Sequence, residues 1–264
     1  MASASTARLP PGWRAEPDAL RDRVVLVTGA SGGLGRATAL AAAAAGAGVI
    51  LLGRNVRRLE KVYDELAALG RAQPAIYPLD LAGATPRDYA ELAERIEREC
   101  GGLHGIVHAA AHFDALQPAL DLAPEEWLRL LHVNLSAPFL LTQACAPLLR
   151  TASDAAVVFV LDDPARTRRA HWGGYGVAKH GLAALVSILH EEWEHTPVRV
   201  HALLPAPMRT TLRRAAYYGE DTLALPPPDA AAAAAVYLLG AQAGALRGAV
   251  LDLRDAAPAV SGER

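Results

Sequence analysis

The sequence predicts a doubly wound α/β fold, in which helices cover both faces of a parallel sheet of seven strands. Short apolar runs alternate with amphipathic or alanine-rich segments along most of the chain, and a glycine-rich turn follows the first run. Strands buried on both faces read as continuous apolar runs, while the segments between them supply crossover helices. We therefore expect a single domain over residues 21–264. A flexible arm should precede it over residues 1–20, where Pro10-Pro11-Gly12 favours an extended chain.

The first unit of this fold spans residues 24–54. An apolar strand at 24–27 leads into Thr28-Gly29-Ala30-Ser31-Gly32-Gly33-Leu34-Gly35, which is followed by a helix at 36–45 and a strand at 49–52. Glycine permits a positive φ in a tight turn, and its missing Cβ lets backbone N–H groups approach a pyrophosphate. The helix directs its positive N-terminus at that anion. This order of elements indicates a Rossmann-type dinucleotide site.

The remaining segments continue the alternation of helices and strands. Thr85-Pro86-Arg87-Asp88 is a typical helix start, with a threonine N-cap, a proline in the first turn and an acidic third residue. Pro78 indicates an edge strand or a strand end, and Pro138 indicates an interruption or bend in its helix. The predicted helices cover residues 57–69, 85–100, 124–150, 172–194 and 229–239, and the predicted strands cover 75–79, 105–110, 156–161, 198–204 and 249–253.

Composition restricts the classes of partner and compartment. The formal net charge of −2 argues against nucleic acid or an anionic membrane as an obligate partner. Cys100 and Cys145 lie within helical patterns and are interpreted as buried thiols, and we expect no metal site. The uncharged runs at 37–53 and 230–246 are shorter than the roughly 20 residues of a membrane span, and residues 1–17 lack the apolar core of a signal peptide. We expect a soluble cytoplasmic protein.

Four motifs together give a resemblance to a known family. They are the Thr28-Gly29-x-x-x-Gly33-x-Gly35 turn, Asn134 within His-Val-Asn-Leu, the Tyr175-x-x-x-Lys179 pair, and the segment 205–210. On these motifs the chain resembles the short-chain dehydrogenase/reductases from about residue 20 to residue 253. The resemblance implies an NAD(P)-binding domain that transfers a hydride between a nicotinamide and a carbonyl or alcohol.

The resemblance also implies roles for individual residues. Tyr175 would be the acid/base, Lys179 its electrostatic partner and a ribose ligand, and Asn134 the anchor of a proton-relay water. The segment 205–210 would close over the nicotinamide, and Asp80 would contact the adenine or cap a strand end. The implied cofactor contacts are Gly29, Ser31, Gly33, Leu34, Gly35, Asp80, Leu81, Ala109, Ala110, Tyr175, Lys179, Pro205, Met208 and Thr210.

The spacing of Tyr175 and Lys179 has a physical reason. Residues four apart share one face of a helix, so the ammonium group can lie beside the phenol. A nearby positive charge stabilises phenolate, and we therefore expect a tyrosine pKa lowered from about 10 towards neutrality. Tyr175 would then exchange a proton with the substrate oxygen as the hydride is transferred.

Asp162 is the main departure from the family pattern. Thirteen residues before the tyrosine, the family carries a serine whose hydroxyl binds the substrate carbonyl, and this chain has Asp162 followed by Asp163. An ionised carboxylate has no proton to donate, and losing one such donor costs about 10²- to 10³-fold in rate. The open alternatives are a protonated Asp162 that acts as a donor, an altered chemistry, loss of activity with NADP(H) kept as a structural or sensing ligand, and a simple cap of the strand end.

Cofactor choice follows from the end of the second strand. An NAD site has an acidic residue about 20 positions after the glycines, where this chain has Arg54, with Arg57 and Arg58 close behind. A guanidinium suits the 2′-phosphate of NADP, so NADP is favoured over NAD. The leading hypothesis is an NADP(H)-dependent short-chain oxidoreductase, and a catalytically impaired family member is the alternative.

Smaller departures and the substrate region complete the prediction. The family's Asn-Asn-Ala-Gly is His108-Ala109-Ala110-Ala111 here, and its Pro-Gly is Pro205-Ala206. His108 is interpreted as packed or as flanking the adenosine. The arginines of residues 208–225 suit either an acidic small-molecule substrate or an exposed basic loop.

The helices at 124–150 and 172–194 carry surplus apolar residues, which predict a homodimer or homotetramer. These residues include Leu130, Leu131, Leu140, Leu141, Leu185, Ile188 and Leu189.

Overall fold

The protein is described by a computed structural model that covers residues 5–254. Its strands are β1 Thr6–Ala7, β2 Val24–Thr28, β3 Gly48–Gly53, β4 Ala75–Pro78, β5 Gly105–His108, β6 Ala155–Val160, β7 Val198–Leu204 and β8 Val250–Asp252. Its α-helices are α1 Gly33–Ala44, α2 Val56–Ala67, α3 Pro86–Cys100, α4 Pro124–Leu131, α5 Ala137–Thr151, α6 Pro164–Thr167, α7 Gly173–Glu192, α8 Thr211–Ala216 and α9 Asp229–Leu239. Short 3₁₀ turns occupy Ala119–Asp121 and Ala241–Leu246, and a π turn occupies His132–Ser136.

The strands form one parallel sheet in the order β1-β8-β7-β6-β5-β2-β3-β4. Buried side chains of α1, α2 and α9 pack on one face of the sheet, and those of α3, α5 and α7 pack on the other. The doubly wound α/β fold is therefore confirmed. From β2 the chain adds β3 and β4 on one side, and it then crosses back to add β5 on the other side of β2. The strand order therefore reverses between β2 and β5. Ligands of open α/β sheets bind at such a switch point, beyond the carboxyl ends of the strands.

The predicted number of seven strands is wrong by one. Thr6 pairs with Val250 and Ala7 with Leu251, which adds β1 outside β8. A strand of two residues has no run or alternation by which a sequence pattern would reveal it. Nearby, the Trp13 ring lies 5.0 Å from that of Tyr237. Residues 1–4 of the expected flexible arm, and residues 255–264 of the expected domain, lie outside the described part of the chain.

The helix expected at 124–150 is two helices joined by the π turn. Pro138 has no N–H to donate to the carbonyl of Asn134, four residues earlier, so the regular hydrogen-bond ladder changes at this point. The predicted interruption near Pro138 is thus present, and it places Asn134 in the widened turn. Pro78 is the last residue of β4, which is an edge strand. Within residues 5–254, no helix has the length and apolar character needed to span a membrane.

Candidate active site

A cleft of about 590 Å³ opens at the carboxyl ends of the central strands, at the switch point. It is lined by the glycine turn after β2, by residues at the ends of β3, β5, β6 and β7, and by one face of α7. Most of the residues predicted for the site line this one cleft. They are Gly29, Ser31, Gly33, Leu34, Arg54, Asp80, Leu81, Ala109, Ala110, Asp162, Tyr175, Lys179, Pro205, Met208 and Thr210.

The glycine turn is held against the end of β5. Gly29 has a φ of +65°, and a Cβ on it would lie 2.8 Å from the Cα of Ala110. The Ala110 N–H donates to the Thr28 hydroxyl oxygen at 3.0 Å. Gly35 does not line the cleft, but a Cβ there would collide with the Gly29 carbonyl, so its role is to bring α1 close to the turn. The turn therefore exposes backbone, with little side-chain bulk, to an incoming anion.

The far end of the cleft carries the residues expected around an adenosine. Arg54 follows β3 and lines the cleft; within residues 5–254 its side chain has no hydrogen-bond or ion-pair partner. Asp80 Oδ1 accepts from the Ala82 N–H at 3.1 Å, which is the capping contact considered from the sequence. Among the residues that the structure describes, no acid therefore neutralises the Arg54 guanidinium, which lies where the sequence predicts the choice between NADP and NAD to be made.

Tyr175 and Lys179 lie on the buried face of α7, only 2% and 5% exposed. The Lys179 Nζ is 5.7 Å from the centre of the Tyr175 ring and donates to the Val160 carbonyl at 2.9 Å. Burial lowers the pKa of Lys179 to about 8, although the charge of Asp162 opposes the shift. The predicted pairing of the two side chains on one helix face is therefore present.

The expected lowering of the Tyr175 pKa is wrong. Burial raises this pKa well above 10, the carboxylate of Asp162 raises it further, and the charge of Arg166 only partly opposes them. The sequence argument weighed the ammonium of Lys179 but not the desolvation of the phenol or the anion beside it. Both of these disfavour phenolate, so Tyr175 is held in its neutral form.

Asp162 is an acceptor in each of its hydrogen bonds. The Tyr175 hydroxyl donates to Oδ2 at 2.8 Å, and the Asp163 N–H donates to Oδ1 at 2.7 Å. The Arg166 guanidinium, on α6, also pairs with Oδ1. A carboxyl group that receives three donors, one of them cationic, is arranged as a carboxylate. This geometry does not match the protonated donor that was one alternative for Asp162.

Asn134 is buried in the π turn and does not line the cleft. Its Nδ2 donates to the carbonyls of His112 and Leu130, at 2.8 and 2.9 Å, and its Oδ1 accepts from the His112 N–H at 3.1 Å. It therefore fixes the loop that follows β5. The water that the resemblance assigns to Asn134 stays a prediction.

His108 is packed, which was one of the two roles considered for it. It is buried at the end of β5, its Nε2 lies 2.8 Å from the Thr142 hydroxyl, and its ring stacks on Phe159 at 4.7 Å. Burial lowers its pKa to about 3, with a smaller contribution from the charge of Lys179. Ala206, which replaces the family's glycine, lines the cleft beside Pro205.

Several residues of the cleft were not identified from the sequence, among them His112, Arg129 and Arg166. His112 Nε2 lies 2.6 Å from Glu126 Oε1, and Arg129 pairs with the other oxygen of Glu126 at 3.3 Å. The i,i+3 spacing of Glu126 and Arg129 on α4 was a readable signal, whereas the approach of His112 depends on the fold. Arg213, one of the arginines noted at 208–225, pairs with Glu220 at 2.5 Å and stacks on Tyr217 at 3.8 Å.

Known proteins share these motifs and this fold. Residues 23–221 match the family described as short chain dehydrogenase. The chain is 34% identical over 228 residues to the uncharacterized oxidoreductase YciK of Escherichia coli K12, covering 86% of this chain and 90% of that one. A solved structure assigned as a short-chain dehydrogenase from Pseudomonas syringae is similar with a TM-score of 0.89, at 38% identity, covering 94% of this chain and all of the other.

A second solved structure, of a short-chain dehydrogenase from Shigella flexneri 2a in complex with NADP, has a TM-score of 0.86 at 34% identity. It covers 90% of this chain and 99% of the other. The family match extends over well more than half of the chain, and the similar proteins agree with it along nearly their whole length. This chain therefore belongs to the short-chain dehydrogenase family.

Proposed function

We propose that the protein is an NADP(H)-dependent oxidoreductase that interconverts a carbonyl and an alcohol on a small-molecule substrate. The observation that carries the proposal is that one cleft contains three separate parts of such a site. These parts are the glycine turn at residues 28–35, the guanidinium of Arg54, and the buried Tyr175–Lys179 pair. Each part alone occurs in other settings, but their meeting at the switch point of the sheet favours dinucleotide chemistry.

The residues of the cleft fit a dinucleotide phosphate. Bare backbone at Gly29 and the start of α1 suit the pyrophosphate, and Arg54 suits a ribose 2′-phosphate. Asp80, Leu81, Pro205, Met208 and Thr210 all line the cleft. We assign the first two to the adenine end and the other three to the nicotinamide end. The NADP complex of the Shigella relative supports the same choice. We infer that NADP is preferred over NAD.

The chemistry divides between the bound cofactor and the chain. When bound, the nicotinamide supplies or accepts the hydride. Tyr175 presents a neutral hydroxyl inside the cleft and exchanges a proton with the oxygen of the substrate. Lys179 stabilises negative charge that develops on that oxygen, and its contact with Val160 orients its ammonium group. Asn134 acts on the site through the loop at His112.

The test is a panel of alcohols with NADP⁺ and of carbonyls with NADPH, run on the wild type, Tyr175→Phe and Asp162→Ser. We expect wild-type turnover and a loss of at least about 100-fold in Tyr175→Phe, with cofactor affinity retained. A wild type that binds NADPH but is inert on the panel would instead support the impaired, NADP(H)-binding role. Restored turnover in Asp162→Ser would then identify the carboxylate as the block.

We also propose that the protein forms a homodimer or homotetramer in the cytoplasm, with no nucleic-acid or membrane partner. The apolar surplus is smaller than the sequence indicates, because Leu130, Leu141 and Leu189 are buried within the chain. Exposed apolar side chains nevertheless remain on α5 and α7, where Phe139, Val177 and Ile188 are 39%, 52% and 53% exposed. Such residues support a self-complementary interface.

A further inference from the structure

We infer that Asp162 is the terminal proton acceptor of the site, taking the proton of Tyr175 during alcohol oxidation, and that Arg166 is the residue that positions it. This inference rests on the proposed oxidoreductase function and assigns a direction to it. It replaces the idea of Asp162 as a substitute donor for the family's serine. The carboxylate and the phenol together form a two-step path along which a substrate proton leaves the reacting oxygen.

The first observation is the contact between Tyr175 and Asp162. The phenol donates to Asp162 Oδ2 at 2.8 Å, and both groups line the cleft. A hydroxyl whose hydrogen is already engaged by a carboxylate presents its oxygen lone pair to the rest of the cleft. Tyr175 is therefore poised to accept a proton from an alcohol and to pass its own proton to Asp162. A path that starts from neutral phenol requires no prior ionisation of the tyrosine.

The second observation is that Arg166 and Tyr175 bind different oxygens of the Asp162 carboxylate. The guanidinium pairs with Oδ1, together with the Asp163 N–H, and so leaves Oδ2 to the tyrosine. The Arg166 guanidinium carbon also lies 5.7 Å from the ring centre of Trp172 and 5.6 Å from that of Tyr217. This packing between two aromatic rings restricts the guanidinium, which in turn orients the carboxylate.

The other charged groups near the pair leave this arrangement intact. Lys179 is directed to the Val160 carbonyl, and its charge faces Asp162 and the Tyr175 ring. Asp163 turns away: its Oδ1 pairs with Arg254 at 2.6 Å and accepts from the Ala165 N–H at 3.0 Å. Tyr217 contributes a phenol on the far side of Arg166. Two cations thus face the Asp162 carboxylate, and no second carboxylate is directed at Tyr175 among residues 5–254.

The proposed oxidation balances as follows. The alcohol O–H bond breaks and its proton bonds to the Tyr175 oxygen, while the proton that Tyr175 held bonds to Asp162 Oδ2. The C–H bond of the carbinol carbon breaks, and its electron pair leaves with the hydrogen as a hydride to an oxidised nicotinamide, which is the oxidant. The remaining C–O bond becomes a carbonyl. Asp162, whose side chain is 11% exposed, then releases the proton to water.

The reverse reaction needs a protonated Asp162 to resupply Tyr175. The pairing with Arg166 holds Oδ1, while Oδ2 accepts from the Tyr175 hydroxyl, so the pair as it stands is arranged to take up a proton from Tyr175. We therefore assign the site to alcohol oxidation. A serine at this position would instead bind the substrate oxygen and leave the tyrosine proton free.

The first test does not depend on activity. Ionisation of Tyr175 is followed by the ultraviolet absorbance of tyrosinate in the wild type and in Asp162→Asn. The absorbance of the same protein carrying Tyr175→Phe is subtracted in each case, so that only the signal of Tyr175 remains. Loss of the carboxylate charge should let Tyr175 ionise at lower pH. Asp163→Asn is the matched control, because it removes the same charge one residue away and keeps an oxygen for the α6 cap. It should leave the titration where the wild type has it.

The second test uses turnover in both directions. Asp162→Asn should lower kcat for alcohol oxidation by about 100-fold with little change in KM, because the acceptor is lost while the shape is kept. Asp163→Asn should oxidise like the wild type. Arg166→Met should lower kcat for oxidation with little change in KM, because Oδ2 is no longer held towards Tyr175, and Arg166→Lys should restore part of kcat, which a merely structural role would not predict.

Specific results would overturn the inference. An active wild type accompanied by an equally active Asp162→Asn would refute the relay and leave the oxidoreductase proposal standing. An unchanged Tyr175 titration in Asp162→Asn would refute the contact on which the relay depends. A wild type that is inert in both directions would refute the proposed function, and the relay with it.

Discussion

Asn134 and the backbone of His112 exchange two hydrogen bonds of opposite sense. The Asn134 amide nitrogen donates to the His112 carbonyl at 2.8 Å, and the His112 N–H donates to the amide oxygen at 3.1 Å. One buried side chain therefore satisfies both polar groups of a loop residue that has no strand partner. The π turn of the helix pair is joined in this way to the loop after β5, which borders the cleft.

Replacing Asn134 should destabilise the protein more than replacing an amide side chain on the surface. Asn134→Ala leaves the carbonyls of His112 and Leu130 without their donor, and each unsatisfied buried group costs about 1–3 kcal/mol. We expect a lower free energy of unfolding by urea denaturation. Gln143→Ala, on the exposed side of α5, is the control and should stay within about 0.5 kcal/mol of the wild type. An Asn134→Ala protein as stable as that control would contradict the role given to these contacts.

Cofactor selectivity should depend on Arg54. NADPH is expected to bind at least about tenfold tighter than NADH, roughly 1.4 kcal/mol, because only NADPH offers a phosphate to the guanidinium. Arg54→Asp should erase the difference, as measured by calorimetry. Arg87→Asp reverses a charge at the start of α3, where an acid is tolerated, and should leave the preference unchanged. Equal affinities for the two cofactors in the wild type would defeat this prediction.

Acid should destabilise the fold partly through His201. Burial lowers the pKa of His201 to about 3, and the charge of Arg199 adds to the effect. Arg199 lies 3.1 Å from Nε2 and can only donate, so the ring is neutral and its Nδ1 donates to the Leu246 carbonyl at 3.2 Å. The unfolded histidine has a pKa of about 6.5, so between about pH 6.5 and 3 the unfolded state binds the extra proton. Stability therefore falls as pH falls through this window.

The measurement is the pH dependence of the free energy of unfolding. His201 should contribute a slope of up to about 1.4 kcal/mol per pH unit within that window. His201→Gln removes the titrating group, keeps an acceptor for Arg199, and should flatten the slope by that amount. The exposed His195 provides the control, since His195→Gln should retain the wild-type slope. Identical slopes in the two variants would show that His201 is not neutral in the folded state.

Self-association should depend on the exposed apolar residues of α5 and α7. We expect a dimer or tetramer by light scattering at micromolar concentration, and Ile188→Asp should shift the population towards monomer by placing a charge within the interface. Leu223→Asp changes a residue that is 71% exposed outside these helices and should not alter the mass. A wild type that is monomeric at this concentration argues against the interface.

Much of the fold and of the cofactor side of the site could be predicted because local patterns encode them. The glycine turn, the ends of the apolar strands and the Tyr175–Lys179 spacing each belong to a single element, and the parallel sheet brings those elements to one edge. Arg54 was identifiable for the same reason, since it directly follows β3. A residue's position at a strand end is enough to predict its place in the site when the sheet topology brings those strand ends together.

The remaining features depend on distances that no local pattern supplies. The desolvation of Tyr175 follows from packing of α7 against the sheet, and the sign of its pKa shift was therefore predicted wrongly. Arg166 lies four residues after Asp162, but their contact depends on the turn that starts α6. His112 meets Glu126 only because the loop after β5 folds back over α4. Contacts between elements decided the electrostatics of the site.

The pairing of β1 with β8 also bears on how molecules of this protein meet one another. A strand at the border of a sheet displays unpaired N–H and C=O groups that can recruit a strand from a second molecule. Here the Val250 N–H donates to the Ser5 carbonyl at 2.9 Å, and β1 is only two residues long. A chain shortened past residue 7 would leave Val250 and Leu251 on the border, and they would form an apolar template for edge-to-edge aggregation.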